Sequence, residues 1–353
     1  MQRSLVGSEM CIRDRMCTAL TLSTKDGYNL FGRNMDLAYS FNQAVTLVPR
    51  NYEYRDRVTG EMRKNKYAIL GMASVIDDYP AFADAFNEKG LGCAGLNFPG
   101  YFYAEENKVP EKKNIAPYDL MPWILSNFST VDEVLNEIKN IELVAVPINE
   151  KTPIPTLHWI VADTNGKSIV IEKTKEGLKT YDNPIGVLTN SPTFDWHLTN
   201  LNEYMKTTPI QPENVKWVEK ELKPLGVAMG TKGLPGGLSG VDRFVRIAYL
   251  KSKFQVAEDL LSGVSQFLHM LNNVAMPRGA VISEGSDDIT LYSSCMCQQK
   301  GIYFYSTYNN NGVSAVDMNK EDLDAKEIKR FDYIDTLLSL IHISEPTRLR
   351  CIS

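Results

Sequence analysis

The feature that most constrains the fold is a set of short alternating runs broken by turn residues. "CTALTLST" (17–24) enters Lys25-Asp26-Gly27, and "YNLFGRNMD" (28–36) leads away again, so the spacing predicts a β-hairpin. "LHWIVAD", "KSIVIEK", "GLKTYD" and "IGVLTN" succeed one another between 157 and 190. They are separated by Asn165-Gly166, Glu176-Gly177 and Asn183-Pro184. Connections this short cannot carry a crossover helix, so an antiparallel meander of four strands is expected rather than a βαβ array. A last hairpin is expected from "DITLYSSCMC" and "GIYFYSTY" around Gln299-Lys300-Gly301. Helical patterns lie between these blocks. Thr130-Val131-Asp132-Glu133 is a capping-box pattern, and Val131, Val134, Leu135 and Ile138 share one helical face. "RFVRIAYLKSK" after Gly240 and "AEDLLSGVSQFLHMLNNV" supply two more helices. Strands in blocks with helices segregated between them argue an α+β fold.

The two ends of the chain do not read as part of it. One short DNA sequence, read on its two strands, encodes both "LVGSEMCIRD" (5–14) and "LSLIHISEPTR" (338–348), and that DNA resembles a transposase adapter used in sequencing. Residues 1–15 and 338–353 are therefore expected to be adapter-derived scars without a fold, and 16–337 to be a single domain starting at Met16. A signal peptide is a poor reading of 1–15, because no apolar run follows Arg3. Each end carries a net +1, so the formal charge of −5 becomes about −7 for 16–337. That balance disfavours nucleic acid or an anionic membrane as the partner. No apolar run is long enough to span a bilayer.

Outside the ends the cysteines are Cys17, Cys93, Cys295 and Cys297. They show no disulfide framework, which favours a reduced, cytoplasmic protein. Cys295 and Cys297 lack a second half for a metal site and read as two small apolar residues on one strand face. His158, His197 and His269 are scattered without ligand spacing. Neither a metal nor a cofactor is expected.

A cysteine directly after Met16 carries the chemistry. Removal of the methionine leaves an α-amine on the same residue as a thiol. An α-amine ordinarily titrates at about 7.7–8.0, so it can take the thiol proton near neutral pH. The hairpin returns Arg33 and Asp36 towards this terminus. A guanidinium there favours thiolate, and a carboxylate holds the amine.

"MCTALTL" with "LFGRNMD", "GLGCAGLNFPG", "GVLTNSPTFDWH", "GLPGGLSGVDRFVR" and "LNNVAMPRG" resemble the choloylglycine hydrolases, the family of conjugated bile salt hydrolases and penicillin V acylases. The resemblance runs in order through nearly all of 16–337. It implies an N-terminal nucleophile hydrolase fold, a four-layer αββα sandwich of two antiparallel sheets between helical layers. It also implies Cys17 as nucleophile, with Arg33 and Asp36 beside it in the hairpin. Asn97 and Asn190 become the polar residues at the scissile carbonyl, and Arg243 the active-site arginine. The glycine-rich "GVAMGTKGLPGGLSG" fits neither GxGxxG nor a P-loop, and is expected to be a flexible loop that delivers Arg243.

By activity, the resemblance implies a cysteine amidohydrolase that cleaves glycine- or taurine-conjugated bile salts through a thioester. Asn at position 97, where penicillin V acylases tend to carry Tyr, favours the bile salt side. Met35 is expected to line the acyl pocket and Asn97 to bind substrate. The family implies a homotetramer. The alternatives are a penicillin V acylase or another acyl-amide hydrolase and, from a different class, a non-catalytic binding protein for amphipathic acyl compounds.

Overall fold

In the computed structural model, which describes residues 16–283 and 285–336, the first hairpin forms as its alternation requires. The two adapter-like ends, 1–15 and 338–353, lie outside the described residues. Strand β1 (Met16–Ser23) pairs antiparallel with β2 (Asn29–Leu37), from Met16 against Asp36 to Ser23 against Asn29. Gly27 closes the turn at φ 87°, a left-handed conformation that only a residue without Cβ adopts at little cost.

The next strands are β3 (Ala44–Val48), β4 (Ile69–Ile76), β5 (Tyr79–Asn87) and β6 (Gly92–Asn97). Helices α1 (Leu120–Asn127) and α2 (Val131–Ile138) come next. Then come β7 (Leu157–Ala162), β8 (Ser168–Thr174), β9 (Gly177–Asp182) and β10 (Val187–Leu188). Helices α3 (Phe194–Asn200), α4 (Gly240–Lys253) and α5 (Leu260–Asn272) precede β11 (Ile289–Cys297), β12 (Ile302–Thr307), β13 (Ser314–Asp317) and β14 (Lys329–Arg330). One sheet has the order β10-β1-β2-β11-β12-β13 and the other β9-β8-β7-β6-β5-β4-β3-β14. Every pairing within these two sheets is antiparallel.

The sheets pack face to face, with helices outside both. Along β7 the residues alternate: Ile160 and Ala162 join the core shared with β1 and β2, whereas Trp159 and Val161 pack with Leu120, Ile124 and Val134 of α1 and α2. Phe244 and Ile247 of α4 and Phe267 and Leu271 of α5 join the core on the side of the six-stranded sheet. There α4 lies against β1 and α5 against β11. The sheets approach so closely that a Cβ at Gly92 would lie 2.6 Å from the ring of Phe31. This is the αββα sandwich that the resemblance implies.

Two local expectations are corrected. The meander holds for β7, β8 and β9, but the fourth strand, β10, leaves the sheet. It pairs with β1, Ala19 against Leu188 and Leu20 against Val187. The Asn183 side chain turns the chain there, accepting from Gly186 N–H and donating to the Val187 carbonyl, while β2 already occupies the other edge of β1. At α2, Thr130 caps Glu133 N–H as expected, but the Glu133 carboxylate also closes onto Ser129 N–H at 2.6 Å, one residue outside the box.

Candidate active site

Cys17 sits second in β1, 1% exposed, with Met35 as its register partner on β2. Its main-chain N–H donates to Asn190 Oδ1 at 3.0 Å. The main-chain N–H of Asn97, the last residue of β6, points to the thiol. Burial pushes the thiol pKa up. Arg33 and Arg243 pull it down and Asp36 opposes them. Burial thus favours the thiol, and a base nearby would be needed to make it a thiolate.

Arg33 and Asp36 are both fully buried. The Arg33 guanidinium donates to the carbonyls of Ala83 (3.0 Å) and Gly95 (2.6 Å), and its Nε donates to the carbonyl of Asn34. Ala83 is the extra residue of a β-bulge, since Phe82 and Asp84 face the consecutive residues Ala73 and Met72 of β4. A second bulge leaves Leu291 unpaired between Thr290, opposite Asp36, and Tyr292, opposite Met35. Bulges re-aim side chains beside sites, and here they turn a carbonyl onto Arg33 and the Thr290 hydroxyl onto Asp36 Oδ1 at 2.5 Å. Asp36 Oδ2 is buried and has no hydrogen-bond partner among the described residues. Burial raises the Asp36 pKa to about 6, against the lowering effects of Arg243, the Thr290 hydrogen bond and Arg33.

Arg243 ties the centre together. Its Nη1 donates to the Cys17 carbonyl at 2.6 Å and to Thr18 Oγ1 at 2.5 Å, its Nη2 to Asn190 Oδ1 at 2.6 Å, and its Nε to the Leu238 carbonyl at 2.9 Å. It is presented from the first turn of α4, whose N-terminus Ser239 caps through Asp242 N–H. Arg243 thus stands on the helix expected after Gly240, and the glycine-rich stretch leads into that helix rather than carrying the guanidinium itself. Asn190 Oδ1 receives two donors, so its amide orientation is determined, and Nδ2 donates to the Asn97 carbonyl at 2.8 Å. The Asn97 side chain accepts from Thr156 at 2.6 Å, so this residue offers the thiol its main-chain N–H.

A cavity of about 310 Å³ opens onto this centre. Cys17, Arg33 and Asn97 form its polar end, and Met35, Phe41, Ile76, Phe82, Met121 and Ile148 are among its apolar walls. Such a cavity can take an apolar group and present its polar end to the Cys17 thiol. Among the described residues no group of three or more His, Cys, Asp or Glu side chains is placed to hold a metal. Cys93, Cys295 and Cys297 are buried and unpaired by disulfides.

A family model, linear amide C–N hydrolases of the choloylglycine hydrolase family, matches residues 17–331. The chain belongs to the choloylglycine hydrolase family. It is thus an amide hydrolase. It is 49% identical over 330 residues to a bile salt hydrolase/transferase of Clostridium perfringens, covering 93% of this chain and 100% of the relative. With a bile salt hydrolase/transferase of Lactiplantibacillus plantarum it shares 44% over 315 residues, 89% of this chain and 95% of the relative. A crystal structure of a variant conjugated bile acid hydrolase from Clostridium perfringens superposes with a TM-score of 0.88 at 49% identity, covering 93% of this chain and 100% of that one. A penicillin V acylase from Agrobacterium tumefaciens shares the fold, with a TM-score of 0.70 at 21% identity over 89% and 90% of the two chains.

The structure brings all the expected residues to one place: Cys17, Arg33, Met35 and Asn97 line the cavity, Asn190 and Arg243 bond the Cys17 main chain, and Asp36 pairs with Arg243. Thr18, Thr156 and Thr290, which orient Arg243, Asn97 and Asp36, were not legible in the sequence. No local signal marks a hydroxyl whose partner is more than fifty residues away.

Proposed function

We propose that the protein hydrolyses the amide bond of glycine- or taurine-conjugated bile salts, with Cys17 as an N-terminal nucleophile once the residues before it are removed. The observation that carries this reading is the apolar cavity that Cys17 lines, with Asn97 N–H at the sulfur and the Asn190 amide oxygen on the Cys17 main-chain N–H. The relatives' names point to the same substrate class. So does Asn, rather than Tyr, at position 97.

The Cys17 sulfur attacks the scissile carbonyl carbon, and the thiol proton passes to the α-amine of the same residue. Negative charge develops on the former carbonyl oxygen, where Asn97 N–H and the Asn190 amide act as donors. One such donor is typically worth about 2.7–4 kcal/mol of barrier. The ammonium then protonates the leaving nitrogen, the C–N bond breaks, and glycine or taurine departs from a thioester. Water attacks the thioester, its proton goes to the amine, and the bile acid leaves as the thiol re-forms. Asp36 supports this reading. Its buried Oδ2, which lies 4.0 Å from Arg243 Nη1 and takes no hydrogen bond among the described residues, belongs to the residue paired with Met16, beside the position of the released amine.

The domain is read as 16–337, and a homotetramer in the cytoplasm is the proposed working form. The arm between α3 and α4 supports an assembly, because Trp217 (70% exposed), Val218 (90%), Leu225 (95%) and Val227 (94%) are apolar and open to solvent. The function is tested by competition between a conjugated bile salt and penicillin V on the enzyme with Cys17 at its N-terminus. A higher kcat/KM for the bile salt is expected, and preferential consumption of penicillin V would overturn the substrate assignment.

A further inference from the structure

Two of the histidines scattered in the sequence meet the same loop from opposite sides. His158 on β7 and His197 on α3 are both fully buried. His158 Nε2 lies 3.0 Å from the Thr189 carbonyl oxygen, and His197 Nε2 lies 2.9 Å from the Asn190 carbonyl oxygen. A carbonyl only accepts, so each ring carries a hydrogen on Nε2. Two imidazoles thus donate to consecutive carbonyls, and the second belongs to Asn190.

The rings are themselves fixed. His158 Nδ1 faces Glu172 Oε1 at 3.0 Å, and the same oxygen accepts the N–H of Phe194, the first residue of the helix that carries His197. Phe98 stacks on His158 with centroids 4.3 Å apart, and Phe244 stacks on His197 at 4.5 Å. Phe98 follows Asn97, and Phe244 follows Arg243. Burial lowers His197 to about 4, with the Asn190 hydrogen bond opposing, so this ring is neutral at physiological pH.

We propose that His158 and His197 are positioning residues that clamp the 189–190 backbone and so set the Asn190 amide against Cys17. Through the stacked Phe98 and Phe244, the same two rings hold Asn97 and Arg243 in register with it. The inference rests on the reading of Asn190 as part of the catalytic machinery. Neither histidine lines the cavity itself, although His158 stands between Leu157 and Trp159, which do, so direct contact with substrate is not their task.

The test uses amides that imitate one ring nitrogen at a time. Glutamine places its NH2 near the Nε2 position and asparagine near the Nδ1 position. His197→Asn is expected to lower kcat by about 10- to 100-fold with KM within about threefold, as a small misplacement of a catalytic group does. His197→Gln is expected to restore most of that loss. In an Asn190→Ala background the Asn substitution at 197 should add little, because the group it positions is gone. The same Gln and Asn pair at His158 gives a second, independent reading. Equal kcat in the folded Asn and Gln variants at both positions overturns the proposal. It is also overturned if the Gln variants unfold or lose as much as the Asn variants, since the rings would then act only as packing groups. If Asn190→Ala keeps the parental kcat, the catalytic reading of Asn190 fails, a result distinct from failure of the clamp.

Discussion

Asn190 Oδ1 accepts the main-chain N–H of Cys17 at 3.0 Å, joining the start of β1 to a loop 173 residues further along the chain. The same oxygen accepts Arg243 Nη2 at 2.6 Å. One amide thus fixes the Cys17 backbone and is itself fixed by a buried cation.

Arg243 is therefore expected to matter for both activity and stability. Lysine cannot reach the acceptors on Cys17, Thr18, Asn190 and Leu238 from one head group. Arg243→Lys should lower kcat at least 100-fold while the fold survives. Arg243→Met leaves Asp36 buried without its nearest cation and should destabilise the protein by about 3 kcal/mol. Denaturant melts of the two variants, set beside their turnover, check both effects.

The four cysteines among the described residues are expected to separate by role. Cys17→Ser should fold and lose hydrolysis, because a hydroxyl is a weaker acid and nucleophile than a thiol in the same place. Cys93→Ser, Cys295→Ser and Cys297→Ser should keep substantial activity while losing about 1–3 kcal/mol of stability, since each places a hydroxyl in a dry core. Steady-state rates and melting temperatures of the four variants decide the matter.

Asp36 gives a pH dependence in which activity and stability run in opposite directions. Its folded pKa is raised by burial to about 6, above the unfolded value of about 3.9. Between those values the folded state holds more protons than the unfolded one, so this residue's contribution to stability falls as pH rises through the window. The carboxylate that steadies the amine forms over the same window, so kcat/KM should rise. The positive amine of the processed enzyme moves the inflection below 6. Asp36→Asn should abolish the acidic limb of kcat/KM and flatten the melting temperature across the same range.

The hairpin that carries Cys17, Arg33 and Asp36 was legible because its turn uses glycine and its strands alternate. The hairpin of β4 and β5 was not. Its turn is Asp77-Asp78, at φ 50° and 61°, a left-handed pair that the Asn-Gly signature does not flag. Strand β6 was hidden for another reason. Three glycines in "GLGCAGLN" blur the alternation of a strand, yet the missing side chain at Gly92 makes room for Phe31 of the opposite sheet. Within the site, the order of motifs identified Asn97, Asn190 and Arg243, but not how they act. The helix that carries Arg243 was expected from "RFVRIAYLKSK", but that Asn97 offers its backbone while its side chain serves Thr156, and that Arg243 reaches Cys17, Thr18 and Asn190, are consequences of packing between distant segments. The two buried histidines were invisible for the same reason, because their partners are carbonyl groups.

The most direct test of the account is the state of the Cys17 nitrogen during turnover. Two verified proteins are compared by intact mass and initial rate on a glycine-conjugated bile salt: one beginning at Cys17 and the intact 1–353 chain. The account predicts hydrolysis, with an acyl adduct trapped by rapid quench on the N-terminal peptide, only for the first. Equal turnover by the intact chain, with its peptide nitrogen at Cys17, would contradict it.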